Sequence, residues 1–167
     1  MRGAIFMGCG KNFESGNCVV DILKDIVDAQ NDIVENCCDT SCDESISDLL
    51  GENEPSNGLD TVPIILYCKD GCKPFKGFGA LKERRNKIGP ILASFIFRVK
   101  KIDNDHCAVL ELLLREGENT GCEHLKCPTD QSTDKLRATG ICITVDLDCF
   151  CHVTCLPAID AFSRDFD

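Results

Sequence analysis

The chain has 167 residues, 43% of them hydrophobic, with nine Phe, one Tyr, no Trp and a formal net charge of −10. That is enough apolar sequence for one domain with a real core, and it excludes a disordered composition. The acidic balance excludes general nucleic-acid binding, which needs a basic footprint, and no apolar run approaches the ~20 residues of a membrane-spanning helix.

Residues 1–16 read as a flexible N-terminus. Met7 opens the run MGCGKN, so residues 1–6 read as an upstream extension, and no early apolar stretch is long enough for a signal peptide. A helix follows over residues 18–37, CVVDILKDIVDAQNDIVENC. At 100° per residue, Val19, Val20, Ile22, Leu23, Ile26, Val27, Ala29, Ile33 and Val34 cover one half of the cylinder. Asp21, Asp25, Asp28 and Asp32 lie on the other half, and Asn17 is placed to cap the N-terminus. Packing against its own domain is the simplest use of the apolar face. A cysteine-rich turn, CCDTSC, precedes a short helix around residues 46–50. The polar run GENEPSNG then marks the boundary of a helical, Cys-rich region spanning 17–60.

From Thr61 the pattern is β. TVPIILYC is a strand and KDGCKP a turn, while PFKGFGAL reads as a short strand weakened by glycine. In ASFIFRVK the alternation puts Phe95, Phe97 and Val99 on one face, and in HCAVLELLL it aligns Ala108, Leu110, Leu112 and Leu114. A long polar loop over 117–133 holds Cys122 and Cys127, and ICITVDLDCFCHVTCL gives one long strand or two in succession. The fold class is α+β: an N-terminal amphipathic helix followed by a Cys-rich antiparallel sheet or sandwich over 61–156, with 157–167 as a C-terminal tail.

Charge is segregated along this order. Residues 14–60 hold 13 acidic side chains against one Lys, residues 69–101 hold 10 basic against two acidic, and residues 102–167 hold 13 acidic against five basic. Either this is ordinary solvated surface, or the basic middle of one molecule docks on an acidic region of the next. The second reading names Lys82, Arg84, Arg85 and Lys87 against Asp21, Asp25, Asp28 and Asp32 as self-association residues.

Fourteen cysteines, about 8% of the chain, are the compositional outlier. In a reducing cytosol they would stay reduced or hold metal. Cys38/Cys42, Cys68/Cys72 and Cys151/Cys155 leave three residues between them and Cys122/Cys127 leaves four, within the range of zinc ligand pairs, but no pair-and-pair motif is present. His106–Cys107 and Cys151–His152 are sequence neighbours, so on a strand each pair faces opposite sides and cannot act as base and nucleophile. A calcium loop starting at Asp103 fails at its sixth and twelfth positions, where Ala108 and Leu114 stand. On a regular strand Cys149 and Cys151 are about 6.6 Å apart with parallel Cβ vectors, too far to bridge each other without a kink. An unbroken strand would put both with Cys155 on the face of Val145 and Leu147, whereas a bulge near Asp148 would turn them outward. Three uses of the cysteines remain open: zinc ligands, small hydrophobes in the core, which would account for about half of them, and reactive thiols in exposed turns that cross-link molecules.

The segments NCVVDILKDIVDAQ, CDTSC, TVPIILY, FIFRV, CAVLELL and above all ICITVDLDCFCHVTCL resemble the CotY/CotZ spore-coat family, which includes the exosporium protein ExsY. The likeness runs from about Cys9 to Leu156. It implies a structural, non-enzymatic protein of the outer layers of a bacterial endospore. Such proteins are made in the mother-cell cytoplasm without a signal peptide and assemble through hexameric units into a two-dimensional lattice with inter-subunit disulfides. The partners it implies are further copies of the chain and other coat or exosporium proteins, with no cofactor, metal, nucleic acid or membrane. The family's cysteine positions match at Cys18, Cys38, Cys42, Cys107, Cys142, Cys149, Cys151 and Cys155, while Cys37, Cys68, Cys72, Cys122 and Cys127 are less typical of it. The rival class is a cytosolic, Cys-rich zinc-binding interaction module.

Overall fold

Residues 16–33, 38–51 and 58–162 are described in the computed structural model of the chain. The chain divides into two units, residues 1–38 and 39–167. The first contains α1 (Cys18–Asn31), started by Asn17, whose side-chain oxygen accepts from the backbone N–H groups of Val19 and Val20 at 3.0 and 3.3 Å. The helix stops at Asn31, short of the expected residue 37, and residues 34–37 lie outside those described. No described side chain of α1 is buried, so Val19, Ile22, Leu23, Ile26 and Val27 form an exposed apolar face. Asp21, Asp25 and Asp28 run in a stripe along the opposite side, continued by Asp32 at the C-cap.

The second unit opens with α2 (Cys42–Leu50). The Ser41 hydroxyl accepts from the Glu44 N–H, Asp43 and Glu44 favour the positive end of the helix dipole, and Gly51 ends it in the left-handed conformation at φ 73°. The strands that follow are β1 (Ile64–Cys68), β2 (Gly77–Gly79), β3 (Lys82–Arg84), β4 (Lys87–Ile88), β5 (Leu92–Ser94), β6 (Phe97–Asp103), β7 (Cys107–Leu114), β8 (Arg137–Asp146) and β9 (Phe150–Cys155). Five of them form an antiparallel sheet in the order β8-β7-β6-β1-β9, and β2 with β5 and β3 with β4 make two-stranded pairs. The architecture is α+β.

The two edge strands of that sheet, β8 and β9, are consecutive in the chain, joined only by a 3₁₀ turn over Leu147–Cys149. In a flat sheet four strand spacings would separate them by roughly 19 Å. Four residue steps reach only about 14 Å when fully extended, and less in a tight turn. The sheet therefore curls. The joining turn is held on both sides, with Leu147 N–H donating to the His106 carbonyl at 2.7 Å and Lys69 N–H donating to the Cys149 carbonyl at 2.8 Å.

Curling encloses one core of Ile64, Leu66, Phe97, Ala108, Leu110, Leu112, Ile141 and Val145. The other face of β1 and β7 contributes Ile65 and Leu113 to a second cluster with Ile96, Leu136 and Ala161. β2 lies close over the first core. A Cβ at Gly77 would fall 2.7 Å from Ile143 Cδ1, and one at Gly79 would collide with Ile141 Cγ2. These glycines permit the approach of strand to core rather than simply weakening the strand.

Two expectations change. Phe95 does not share a face with Phe97 and Val99, because the chain breaks its pairing between β5 and β6. Phe95 joins Ala93 and Leu125 in a third cluster, and Val99 is exposed. The polar groups freed at this break are satisfied by Gln131: its Oε1 accepts from Phe95 N–H at 2.8 Å, and its Nε2 donates to Ser94 Oγ at 2.9 Å and to the Leu113 carbonyl at 3.1 Å. Leu125 and Gln131, both buried, fasten the 117–133 loop to the sheet. Nor does residue 156 end the ordered structure. Ile159 pairs with Thr61, the Asp60 carboxylate accepts from the Ala161 N–H at 2.9 Å, and Ala161 is buried.

Candidate functional site

Strand alternation decides where the cysteines go. On β7, Ala108 and Leu110 point into the core, so Cys107 points out. On β8, Ile141 and Ile143 pack on the core, so Cys142 lies on the outer side. The 3₁₀ turn over Leu147–Cys149 interrupts the terminal strand where a bulge was one of two alternatives, and it leaves Cys149 and Cys151 exposed. Core packing is therefore not the role of these sulfurs. Among the described residues the free cysteines are Cys38, Cys72, Cys107, Cys122, Cys127, Cys142, Cys149 and Cys151, all exposed, and Cys68, half-buried. Ile, Leu and Phe fill the interior instead.

Cys155 has a different fate. It is bonded to Cys42 with their Cα atoms 4.8 Å apart, which ties the start of α2 to the end of β9. The Ser45 hydroxyl, donating to the Leu156 carbonyl at 2.7 Å, reinforces the same junction. Cys18 is also disulfide-bonded, and Cys37 lies outside the described residues.

Two segments distant in sequence, residues 68–72 and 149–151, meet at one end of β1 and β9. A register shift between Tyr67 and Cys68 sets Cys68 opposite Phe150. The turn after β1 is closed by Cys68 N–H donating to the Lys73 carbonyl at 2.8 Å, and it passes through left-handed conformations at Gly71 (φ 78°) and Cys72 (φ 52°). Cys151 Sγ donates to the Cys68 carbonyl at 3.5 Å. Desolvation by its surroundings first, then the neighbouring Cys72 and Cys68, push the Cys151 thiol above its ordinary pKa. Beside them the Tyr67 and His152 rings stack at 4.2 Å. Among the described residues no group of three or more His, Cys, Asp or Glu side chains is arranged to hold a metal ion.

The basic residues also gather. Lys82 and Arg84 lie on β3, Lys87 on β4, and Arg85 in the turn between them, with Asn86 taking the left-handed position at φ 57°. All four are exposed, and so are Ile88 and Ile91 beside them. The result is a projecting basic hairpin with an apolar flank. The sequence marks its composition but not its shape. Gln131, and the meeting of residues 68–72 with 149–151, carry no local signal, because both depend on pairing between distant segments.

A family model described as "Spore coat protein Z" matches residues 7–158. The chain is 35% identical over 150 residues to "Spore coat protein Z" of Bacillus subtilis (strain 168), covering 86% of this chain and 90% of that relative. No solved structure matches it.

Proposed function

The chain belongs to the spore coat protein Z family, and we propose that it is a structural, non-enzymatic component of the bacterial spore coat that assembles with its own copies into a layer locked by disulfides. The observation that supports this most is the outward display of cysteines around a fold with its own internal staple. Cys107, Cys142 and Cys149 are exposed, free and held on strands or a pinned turn. Such sulfurs contribute nothing to the core and are accessible to a neighbour.

Assembly proceeds in two stages. Reversible contacts come first: the basic hairpin of one copy meets the Asp21–Asp25–Asp28–Asp32 stripe of another copy's α1, while the exposed apolar face of α1 is covered by further subunits. Opposite charges steer such encounters and fix their register. In a closed array, hexameric units included, each copy has several neighbours, so weak contacts multiply through effective concentration. Disulfides then remove dissociation as an escape route. A subunit of the exosporium layer would face the same task. The protein is made reduced in the mother-cell cytoplasm and oxidised around the spore. Negative-stain imaging of the purified chain, with and without a strong reductant, tests this reading.

A further inference from the structure

Two apolar surfaces of the chain lack cover, one convex and one concave. The convex one is the face of α1, where Val19, Ile22 and Ile26 follow the i, i+3, i+7 spacing of helices that seat in grooves. No described side chain of α1 is buried within its own chain. The concave one is an open groove of about 360 Å³ lined by Leu81, Leu92 and Leu114. Leu81 immediately precedes β3 and Leu92 opens β5, so the basic hairpin rises from the groove wall. Gly89 N–H, donating to the Leu81 carbonyl at 2.8 Å, closes the hairpin at that point. Ile88 and Ile91, 76% and 72% exposed, extend the apolar surface along the hairpin base.

Charge selects the occupant. α1 carries Asp21, Asp25 and Asp28 against Lys24, with Asp32 at its C-cap. The groove lip is balanced, Arg115 and Arg137 against Glu116 and Glu118. Glu118 lies 4.0 Å from Arg115 and accepts from the Ser132 N–H at 2.8 Å. The hairpin is not balanced, with Lys82, Arg84, Arg85 and Lys87 against Glu83. At 100° per residue, Asp25 and Asp32 border the apolar arc on the side of Ile22, and Lys24 borders it on the other side. One direction of the helix along the groove lays the acidic border on the hairpin. The reverse direction lays Lys24 there, so charge also sets the direction.

We propose that this groove receives α1 of a second copy, with Val19, Ile22 and Ile26 seated and the Asp25–Asp32 border against the hairpin. The inference rests on the self-assembly reading and makes its apolar and charged contacts one docking event. Helix and groove are different surfaces of the same chain, so each copy donates one and receives one. Such a head-to-tail contact builds rings or open arrays rather than closed pairs.

The test uses the full chain under reductant, so disulfides play no part. A light chain carrying photoreactive benzoyl-phenylalanine in place of Leu23, beside the seated residues, is mixed with a large excess of heavy-isotope-labelled chain. The mixture is irradiated, digested and mapped by mass spectrometry. The expected product joins the light α1 peptide to a heavy peptide containing Leu81, Leu92 or residues 114–118. Leu81 is half-exposed and outside the core clusters, and Leu81→Glu in the heavy chain is expected to cut the yield several-fold. Links to the heavy α1, links confined to the light chain, or an undiminished yield with Leu81→Glu would overturn the proposal. Light–heavy links at other surfaces would overturn it and leave self-assembly standing, whereas no light–heavy link at all would overturn both.

Discussion

Cys42 and Cys155, 113 residues apart, are joined to each other, so the first residue of α2 is bonded to the last residue of β9. While that bond holds, neither sulfur is available to another copy. Cys155 is thereby separated in role from Cys149 and Cys151, its close neighbours in sequence.

Closing a loop of that length restricts the unfolded chain by an entropy worth about 4–5 kcal/mol, of which real disulfides typically deliver about 2–4 kcal/mol. The double variant Cys42→Ser/Cys155→Ser is expected to lose stability of that order in denaturant unfolding of the monomer. It should keep its capacity for links between copies. A change below about 0.5 kcal/mol would show that the junction is held by the Ser45–Leu156 contact and packing alone.

Gly79 is predicted to be intolerant of a side chain. Its α-carbon faces Ile141, and even an alanine methyl would overlap that residue's Cγ2. Gly79→Ala is expected to cost about 1–3 kcal/mol through overpacking, measured as a lower denaturant midpoint at unchanged slope. Gly117, where nothing lies within 4 Å of an added Cβ, lacks any such neighbour.

Acid should loosen the C-terminal clasp. Burial opposes ionisation of Asp60, but hydrogen bonds from the Ala161 N–H and the Thr61 hydroxyl prevail and hold its carboxyl below the ordinary range. A carboxylate lowered on folding stabilises the native state above its unfolded pKa, and that stabilisation is lost as pH falls through the folded value. The protection factor of the Ala161 amide, relative to the intrinsic exchange rate at each pH, is therefore expected to fall below about pH 4. Asp60→Asn should flatten this pH dependence, and an unchanged pH profile in the variant would assign the effect elsewhere.

Much of this fold was legible in the sequence, and the boundary between legible and hidden follows contact distance along the chain. The Asn17 cap and the apolar arc of α1 are local properties, and so is the alternation of β7. So was the choice at Asp148, which the sequence narrowed to two outcomes because thirteen residues are long for one strand. The sheet order was hidden, since nothing near Cys68 announces that residue 150 lies opposite. Gln131 was hidden for the same reason: its partners, Ser94, Phe95 and Leu113, are fixed only once β5 and β7 are in place. Cysteine burial was misleading by composition alone. The period of two along β7 and β8 assigns Cys107 and Cys142 to the outer side once the core side is known.

Salt should act on the first stage of assembly only. The proposed contact between Lys82, Arg84, Arg85 and Lys87 and the α1 aspartates would join largely exposed side chains, so salt would screen it over a Debye length of about 8 Å at physiological ionic strength. Light scattering by reduced protein is expected to rise several-fold more slowly in high salt than in low salt. Charge reversal of Arg84 and Arg85 to Glu should slow it at low salt and abolish the salt dependence. Equal rates at both ionic strengths would remove the hairpin from the association surface.

The most direct measurement is negative-stain electron microscopy of the purified chain before and after a strong reductant, with detergent gels of the same samples and of a Cys107→Ser/Cys142→Ser/Cys149→Ser variant. The account predicts ordered sheets whose detergent resistance is lost on reduction, and a variant that still forms sheets but dissolves in detergent without reductant. Monomers in every condition, or a variant as resistant as the unsubstituted chain, would contradict it.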